Sequence, residues 1–471
     1  MRVIYGPYEP DKPQFLQDGL SDVSNVYPAA NGYRPVGAFS PITQSLPASF
    51  YGGASYVSSD GTGTLLGGTN ANLYRYDGTA WVALMTSPTI PARWQFTQFG
   101  DLAIAVNGGV TQKVDLLANT VAPVPGAPTA HSVATVRDFV VYGQANGNAA
   151  MVQWSAFNNQ DGNTLGVDQC GNQPMLTGGF VMGIVGGEYG LIIQRSRVVR
   201  MTYTGDPDVP FQFDEISANI GAISSYSIVQ AGRMVFFLSD RGFMVCDGNE
   251  VKPIGLERVD ATFFKQFPRA TLSQMYAAVD PRRNTVAWSM PGSPGLILLY
   301  DWALDKWSPI RMMAGAIMSG FSTNASLDAL DTLYPDGVDS IPYSLDDERF
   351  AGGDPLFLVI NNDHAMGVLS GANISASLQT VLTEYAQGAV SRLRSVRPIC
   401  DATAGVEVMF DARGRLGDPP TARAFTDLRP SGSMPVRASG RFISTRMTIA
   451  AGVPWSYVQG LDIEAVSGGT R

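Results

Sequence analysis

Residues able to do chemistry are few in this chain, and their spacing does not bring them together. Its two histidines, His131 in a Pro/Ala-rich segment and His364 in a turn, lie beside no serine or cysteine motif, so a nucleophile–base pair has nothing to start from. The three cysteines, Cys170, Cys246 and Cys400, are odd in number and far apart, without metal-ligand spacing; they read as structural thiols. The pairs Gly178-Gly179 and Gly186-Gly187 and the run Gly468-Gly469-Thr470 lack the lysine and spacing of a phosphate loop and read as turns. No catalytic, cofactor-binding or metal-binding residue is assigned, and the chain is read as a non-enzyme.

One cluster stands out by charge. Asp328, Asp331, Asp336, Asp339, Asp346, Asp347 and Glu348 crowd the segment Ala325 to Gly352, where Arg349 is the one basic residue. A calcium loop would need oxygen ligands at alternate positions around a glycine turn, an order this segment lacks. The reading is a solvated docking or channel-facing loop, with a cation site as the alternative.

Three further aspartates follow an aromatic or cysteine at a strand end: Tyr76-Asp77, Cys246-Asp247 and Tyr300-Asp301, each followed four or six residues later by Trp81, Val251 or Trp307. They lack the Ser-x-Asp-x-Gly-x-x-Trp order of a sialidase box. Aspartate accepting backbone hydrogen bonds in a turn, with tryptophan packed between neighbouring units, accounts for them.

The elements that carry these residues repeat. Seven times an apolar strand meets a Gly/Asn/Asp turn and a second apolar strand, with first strands starting at residues 64, 102, 139, 191, 234, 285 and 356. Turns such as Asn107-Gly108-Gly109 and Asp240-Arg241-Gly242 supply the positive backbone angles that tight hairpins require. The last interval exceeds the average of the others by about the length of the acidic segment. Inner strands precede several hairpins, at Phe50 to Ser58, Ile223 to Gln230 and Met275 to Val279. The expected fold is therefore all-β: a β-propeller of six or seven four-stranded blades over residues 48–370, with the acidic insertion at 325–352. After Ser370 the pattern changes to strands at Ser375 to Glu384, Val406 to Phe410, Arg441 to Ile449 and Trp455 to Glu464. Residues 371–471 are expected to form a β-sandwich-like platform, joined by residues 1–47, whose Pro-rich text lacks the blade pattern.

Charge narrows the partners. A net charge of −9 argues against a protein that grips nucleic acid by its phosphates. The C-terminal region is nonetheless rich in arginine, and Arg392, Arg394, Arg397, Arg413, Arg415 and Arg441 are candidates for inter-subunit or adaptor contacts, or for guarding strand edges. Hydrophobic content of 45% with only 15% charged residues predicts extensive subunit contacts. The start, Met1-Arg2-Val3-Ile4-Tyr5-Gly6-Pro7, has no apolar signal core, and synthesis in a cytoplasm is expected.

Short runs along most of the chain carry a resemblance. They are Gly19-Leu20-Ser21-Asp22-Val23-Ser24-Asn25-Val26-Tyr27-Pro28 with Asn31-Gly32-Tyr33-Arg34-Pro35; Gly205, Ile216 to Gly221, Val235-Phe236-Phe237-Leu238, Gly242 and Cys246-Asp247-Gly248; and Ser439-Gly440-Arg441-Phe442 with Gly460-Leu461-Asp462-Ile463-Glu464. The chain resembles tail hub, or nozzle, proteins of short-tailed bacteriophages, the podovirus-type head-to-tail and packaged-DNA stabilisation family. The resemblance implies a propeller on a platform built from both chain ends. It implies six copies forming a ring below the head-to-tail adaptor, with viral DNA passing down the centre, and docking of fibres, spikes or needle. The implied location is the virion tail. The rival expectation is a propeller that binds or cleaves glycans, which would need carboxylates and aromatics converging in the central funnel.

Overall fold

A computed structural model describes residues 1–15, 18–86, 92–321, 355–386, 388–426 and 428–468. Seven consecutive four-stranded antiparallel sheets form the blades of a β-propeller. In blade 1 the chain runs Phe50–Val57, Gly63–Thr69, Asn72–Tyr76 and Trp81–Thr86, each strand pairing with the next from the axis outward. Blades 2 to 6 repeat this order, beginning at Gln95–Phe99, Ser132–Val136, Val181–Val185, Val229–Ala231 and Tyr276–Asp280. The seven hairpins read from the turns are the two middle strands of the seven blades, so the count is seven rather than six.

Blade 7 is built differently. Ala314–Phe321, Pro355–Asn361 and Met366–Val368 supply three strands, and its fourth is Ser40–Pro41 from the other end of the chain. Ile42 and Thr43 also donate to the Met366 carbonyl, and Leu46 donates to His364. Gly367 must be small here: a Cβ would sit 2.3 Å from the Ser40 carbonyl oxygen. The propeller thus claims part of the segment expected to belong wholly to the platform, and the boundary at residue 47 is corrected to the mid-thirties. Nothing in Ser40-Pro41 has a strand period, because the pairing is only two residues long.

Each gap between neighbouring blades holds its own apolar cluster. Between blades 6 and 7, Ala287, Ile297 and Leu299 meet Ile317, Phe357 and Val359. Between blades 5 and 6, Phe243 packs on Trp288 and Trp307, and Trp307 donates its indole N–H to the Ile254 carbonyl at 3.2 Å. The inner strand of blade 5 is shorter than expected, because Ser225–Ser227 forms a 3-10 turn whose Ser227 carbonyl accepts from the Trp288 indole at 2.9 Å.

The platform is a two-sheet sandwich made from both chain ends. One sheet orders Val26–Ala29, Gly32–Pro35, Val458–Ser467, Ser391–Cys400 and Met434–Gly440, with Arg2–Ile4 added on Val458–Ser467. The other orders Leu20–Ser24, Ala376–Thr380, Phe442–Ile449, Val406–Arg413 and Thr421–Phe425. Leu393, Val396 and Ile463 from the first sheet and Phe410, Ile443 and Met447 from the second belong to the same buried cluster as the blade 5–6 interface. Asn25, held at a φ of 63°, fastens the two parts: its N–H donates to Pro309 of blade 6, its Oδ1 accepts from Arg311, and its Nδ2 donates to Ser375 of the platform.

The Asp260–Gln266 helix is a second joint, because Asp11 accepts the Ala261 and Thr262 amides at its first turn. Asp260 itself is buried; Phe243 N–H donates to its Oδ1 at 3.1 Å, while Oδ2 has no partner among the described residues. Burial, with a smaller push from the Asp11 charge and against the Phe243 hydrogen bond, raises its carboxyl to about 6. A raised carboxyl favours the protonated folded state, so its contribution to stability is complete below the ordinary carboxyl range and is lost as pH rises through about 6.

Two outcomes follow. The melting temperature of Asp260→Asn relative to wild type should climb between about pH 4 and pH 6 and then level, measured by calorimetry across pH; parallel curves would contradict the burial of an ionisable Asp260. Trp307→Ala should lower stability by about 3–5 kcal/mol in urea titration, the cost of emptying a large buried site. A loss under about 1 kcal/mol would show that the blade 5–6 stack is not a principal contact.

Candidate functional site: the axial cavity and the arginine face

The inner strands of all seven blades enclose a cavity of about 520 Å³ on the propeller axis. Its walls are neutral: Ser55, Thr97, Thr135, Gln230 and Ser319 are among them, and the described lining contains no aspartate, glutamate, histidine or cysteine. Several of these side chains lace neighbouring blades together. The Thr97 and Thr135 hydroxyls lie 2.9 Å apart, Phe321 N–H donates to Ser55 Oγ, and Gln230 Nε2 donates to the Gly186 carbonyl. Ser319 Oγ donates to the Val279 carbonyl and accepts from the Val279 N–H.

Among the described residues one charge enters this neutral space. Arg93, just before the inner strand of blade 2, crosses the axis to blades 5 and 6 and is 9% exposed. Its guanidinium lies 4.3 Å from the Tyr226 ring centroid and 3.9 Å from that of Tyr276, and Nη1 donates to the Met275 carbonyl at 2.6 Å. Both tyrosines are raised above their ordinary range chiefly by burial, so neither offers a phenolate near neutral pH. Sequence reasoning missed Arg93; its only signal was a lone arginine beside Trp94 at the entrance to a strand. A double helix, whose major groove alone is about 12 Å wide, does not fit a cavity of this size crossed by a side chain. Any DNA path in an assembly would have to run between subunits.

The strand-end aspartates are turn residues. Asp77 Oδ1 accepts from the Thr79 and Ala80 amides, Asp247 Oδ1 from Asn249 and Glu250, and Asp301 Oδ1 from Ala303 and Leu304. Asp115 makes the same turn with Leu117 and Ala118, a copy the sequence pattern did not single out. Trp81 donates its indole N–H to Gln44 in the closing segment, as Trp307 does to Ile254 across the blade 5–6 gap. His131 is lowered by burial and donates its backbone N–H to Gly143; His364 holds a turn at a φ of 65°. The three cysteines are free, and burial raises each thiol.

The acidic residues Asp328, Asp331, Asp336, Asp339, Asp346, Asp347 and Glu348 lie outside the described residues, in the connection from the first to the second strand of blade 7.

The platform arginines fall into two groups. Arg392, Arg394 and Arg397 lie exposed along Ser391–Cys400, beside Arg437 on the neighbouring strand Met434–Gly440. None of the four has an ion-pair partner among the described residues. The carboxylates on the same face are engaged elsewhere: Asp462 faces the Met1 amino group at 3.6 Å, and Glu464 accepts from Ser395 at 2.8 Å. Arg413, Arg415 and Arg441 sit on the second sheet and its turn instead. Arg413 donates to the Leu416 carbonyl, the Arg415 amide donates to Asp418, and Arg441 pairs with Glu384 at 2.8 Å. Arg441, a candidate inter-subunit or adaptor contact, thus has an ion-pair partner within the chain while its side chain stays partly exposed.

No family model matches the chain, and no curated protein does. Among solved structures, the extracellular domain of a putative hybrid two component system from B. thetaiotaomicron aligns with a TM-score of 0.44 and 11% identity, covering 85% of this chain and 47% of that one. The chain thus spans about half the length of that protein. A chain of the Mitotic Checkpoint Complex gives 0.38 at 9% identity, covering 72% and 95%, and the RRP9 WD40 repeats give 0.36 at 9%, covering 60% and 89%. The propeller follows from this chain's own sheet order. Among the described residues no helix is long and apolar enough to cross a membrane.

Thiol labelling checks the burial. At about pH 8 Cys170 and Cys246 should stay unmodified in the native protein and react once it is unfolded, since the thiolate is the reacting form. Rapid native labelling of Cys246 would contradict its position in the blade 4–5 cluster.

Proposed function

We propose that this chain is a structural, non-catalytic subunit of a short-tailed phage tail, a hub or nozzle ring below the head-to-tail adaptor. The observation that carries the reading is the exposed row of Arg392, Arg394, Arg397 and Arg437 on a sheet that weaves both chain ends together. Four like charges on one face repel one another unless a partner neutralises them, and charge complementarity sets register and partner choice more than raw affinity. The same chain carries seven carboxylates between Asp328 and Glu348. A head-to-tail contact between copies, acidic segment against arginine face, is heterologous and closes into a ring when its rotation permits. Six copies are the expected number, DNA passes through the centre of the ring, and the adaptor and the fibres, spikes or needle dock on its faces.

The glycan reading has less support. A glycosidase pair has no carboxylate in the described lining of the axial cavity, and the rings of Tyr226 and Tyr276 are already stacked on Arg93.

Charge reversal tests the proposal. Arg392→Glu, Arg394→Glu and Arg397→Glu together should leave the melting curve of the isolated subunit within a few degrees of wild type, because these side chains are exposed and have no ion-pair partner among the described residues. Sedimentation velocity should show the ring lost. Wild-type assembly should weaken between about 0.05 and 0.5 M salt as screening shortens the reach of the charges. Assembly that ignores both the reversal and salt would sink the arginine face as the contact.

A further inference from the structure

The proposed assembly role leaves Arg93 unexplained. This side chain is nine-tenths buried and has no carboxylate partner among the described residues. Taking a guanidinium out of water is unfavourable unless its charge and donors are answered. Two tyrosine faces and the Met275 carbonyl answer part of it. Because the rings lie over the guanidinium group, further hydrogen bonds must come at its planar edge. Among the described residues Nε and Nη2 have no hydrogen-bond acceptor, neither is fully buried, and Arg93 lines the cavity. Gln95, two residues along the same cavity wall, makes no side-chain hydrogen bond to the described residues either.

We propose that the axial cavity is a binding site for a small oxyanion, the carboxylate or phosphate group of a ligand. The group would be held by the open Nε and Nη2 edge of Arg93, with the Gln95 amide as a second donor. The geometry suits that chemistry. A guanidinium offers two parallel N–H donors that match two oxygens of a carboxylate or phosphate, and here the stacking tyrosines fix its plane in advance. The described lining brings no competing carboxylate, so an anion entering the cavity meets one cation and no repelling charge among these residues. At about 520 Å³ the space admits a small molecule rather than a bare ion alone. A purely structural strut would satisfy its donors on protein acceptors; among the described residues this one leaves Nε and Nη2 without an acceptor beside a cavity that it lines.

The test uses the full chain with inorganic phosphate and with acetate, each compared with chloride at equal ionic strength and pH. Wild type should show saturable binding of one equivalent per chain by calorimetric titration with at least one of the two anions. Its melting temperature should rise with that anion's concentration up to about 20 mM, as expected for a ligand that binds only the folded state. The two arms separate a phosphate site from a carboxylate site. Arg93→Gln should abolish binding, Arg93→Lys should weaken it at least about tenfold because the fork is lost while the charge stays, and Gln95→Leu should weaken it several-fold. If Arg93→Gln does not fold, the lysine variant and Gln95→Leu decide the matter. Absence of saturable binding of both anions to wild type, or binding unchanged in Arg93→Lys and Gln95→Leu, would overturn the proposal and leave Arg93 as a strut.

Discussion

A closed ring of blades must be joined between its last member and its first, and the rest of this molecule depends on how that joint is made. Blade 7 obtains its fourth strand from Ser40–Pro41, so the chain must lay down platform strands, close the ring, and only then begin blade 1. The order couples the two parts. Residues before the joint are committed to the platform sheets, where Leu20–Ser24 pairs with Ala376–Thr380 and Arg2–Ile4 pairs with Val458–Ser467. The platform cannot be completed until the last residues arrive. Contacts between segments so distant in sequence predict slow folding, because loop closure must precede the contacts that reward it.

The coupling is reinforced by burial. Most blade interfaces have separate cores, but the blade 5–6 core runs without a break into the platform, from Phe243, Trp288 and Trp307 to Tyr5, Leu20, Val396 and Phe410. Propeller and platform therefore behave as one body at that side, fastened further by Asn25 and by Asp11 on the Asp260–Gln266 helix. A rigid pair of parts can present an exposed charged face at a fixed angle to a neighbour, which a flexible linker would not do.

The hairpins were legible because each depends on local chemistry: Asn, Asp and Gly at turns, and alternating apolar residues on either side. What escaped was set by distant parts of the chain. Ser40-Pro41 has no period because its two residues pair with a strand some three hundred positions away. Ser391–Cys400 was overlooked although it lies at the heart of a platform sheet, because a bulge between Leu393 and Ser395 shifts the inward–outward alternation by one. Thr421–Phe425 lay hidden in a Pro/Gly-rich stretch. The arginines of the C-terminal region were visible as a composition, but only the structure separates the unpaired row on Ser391–Cys400 from Arg441, which is tied to Glu384. Arg93 could not be found from sequence, since its neighbours Tyr226 and Tyr276 come from blades on the far side of the axis.

We propose that this propeller on its platform is a ring subunit whose neighbours meet through the platform. Electron cryomicroscopy of the assembled protein tests it most directly. The expected result is a closed ring of six copies, with density from an adjacent subunit over Arg392, Arg394 and Arg397, and with each propeller axis still crossed by Arg93. A particle that remains a monomer under all assembly conditions, or a ring whose arginine faces all point to open solvent, would contradict it.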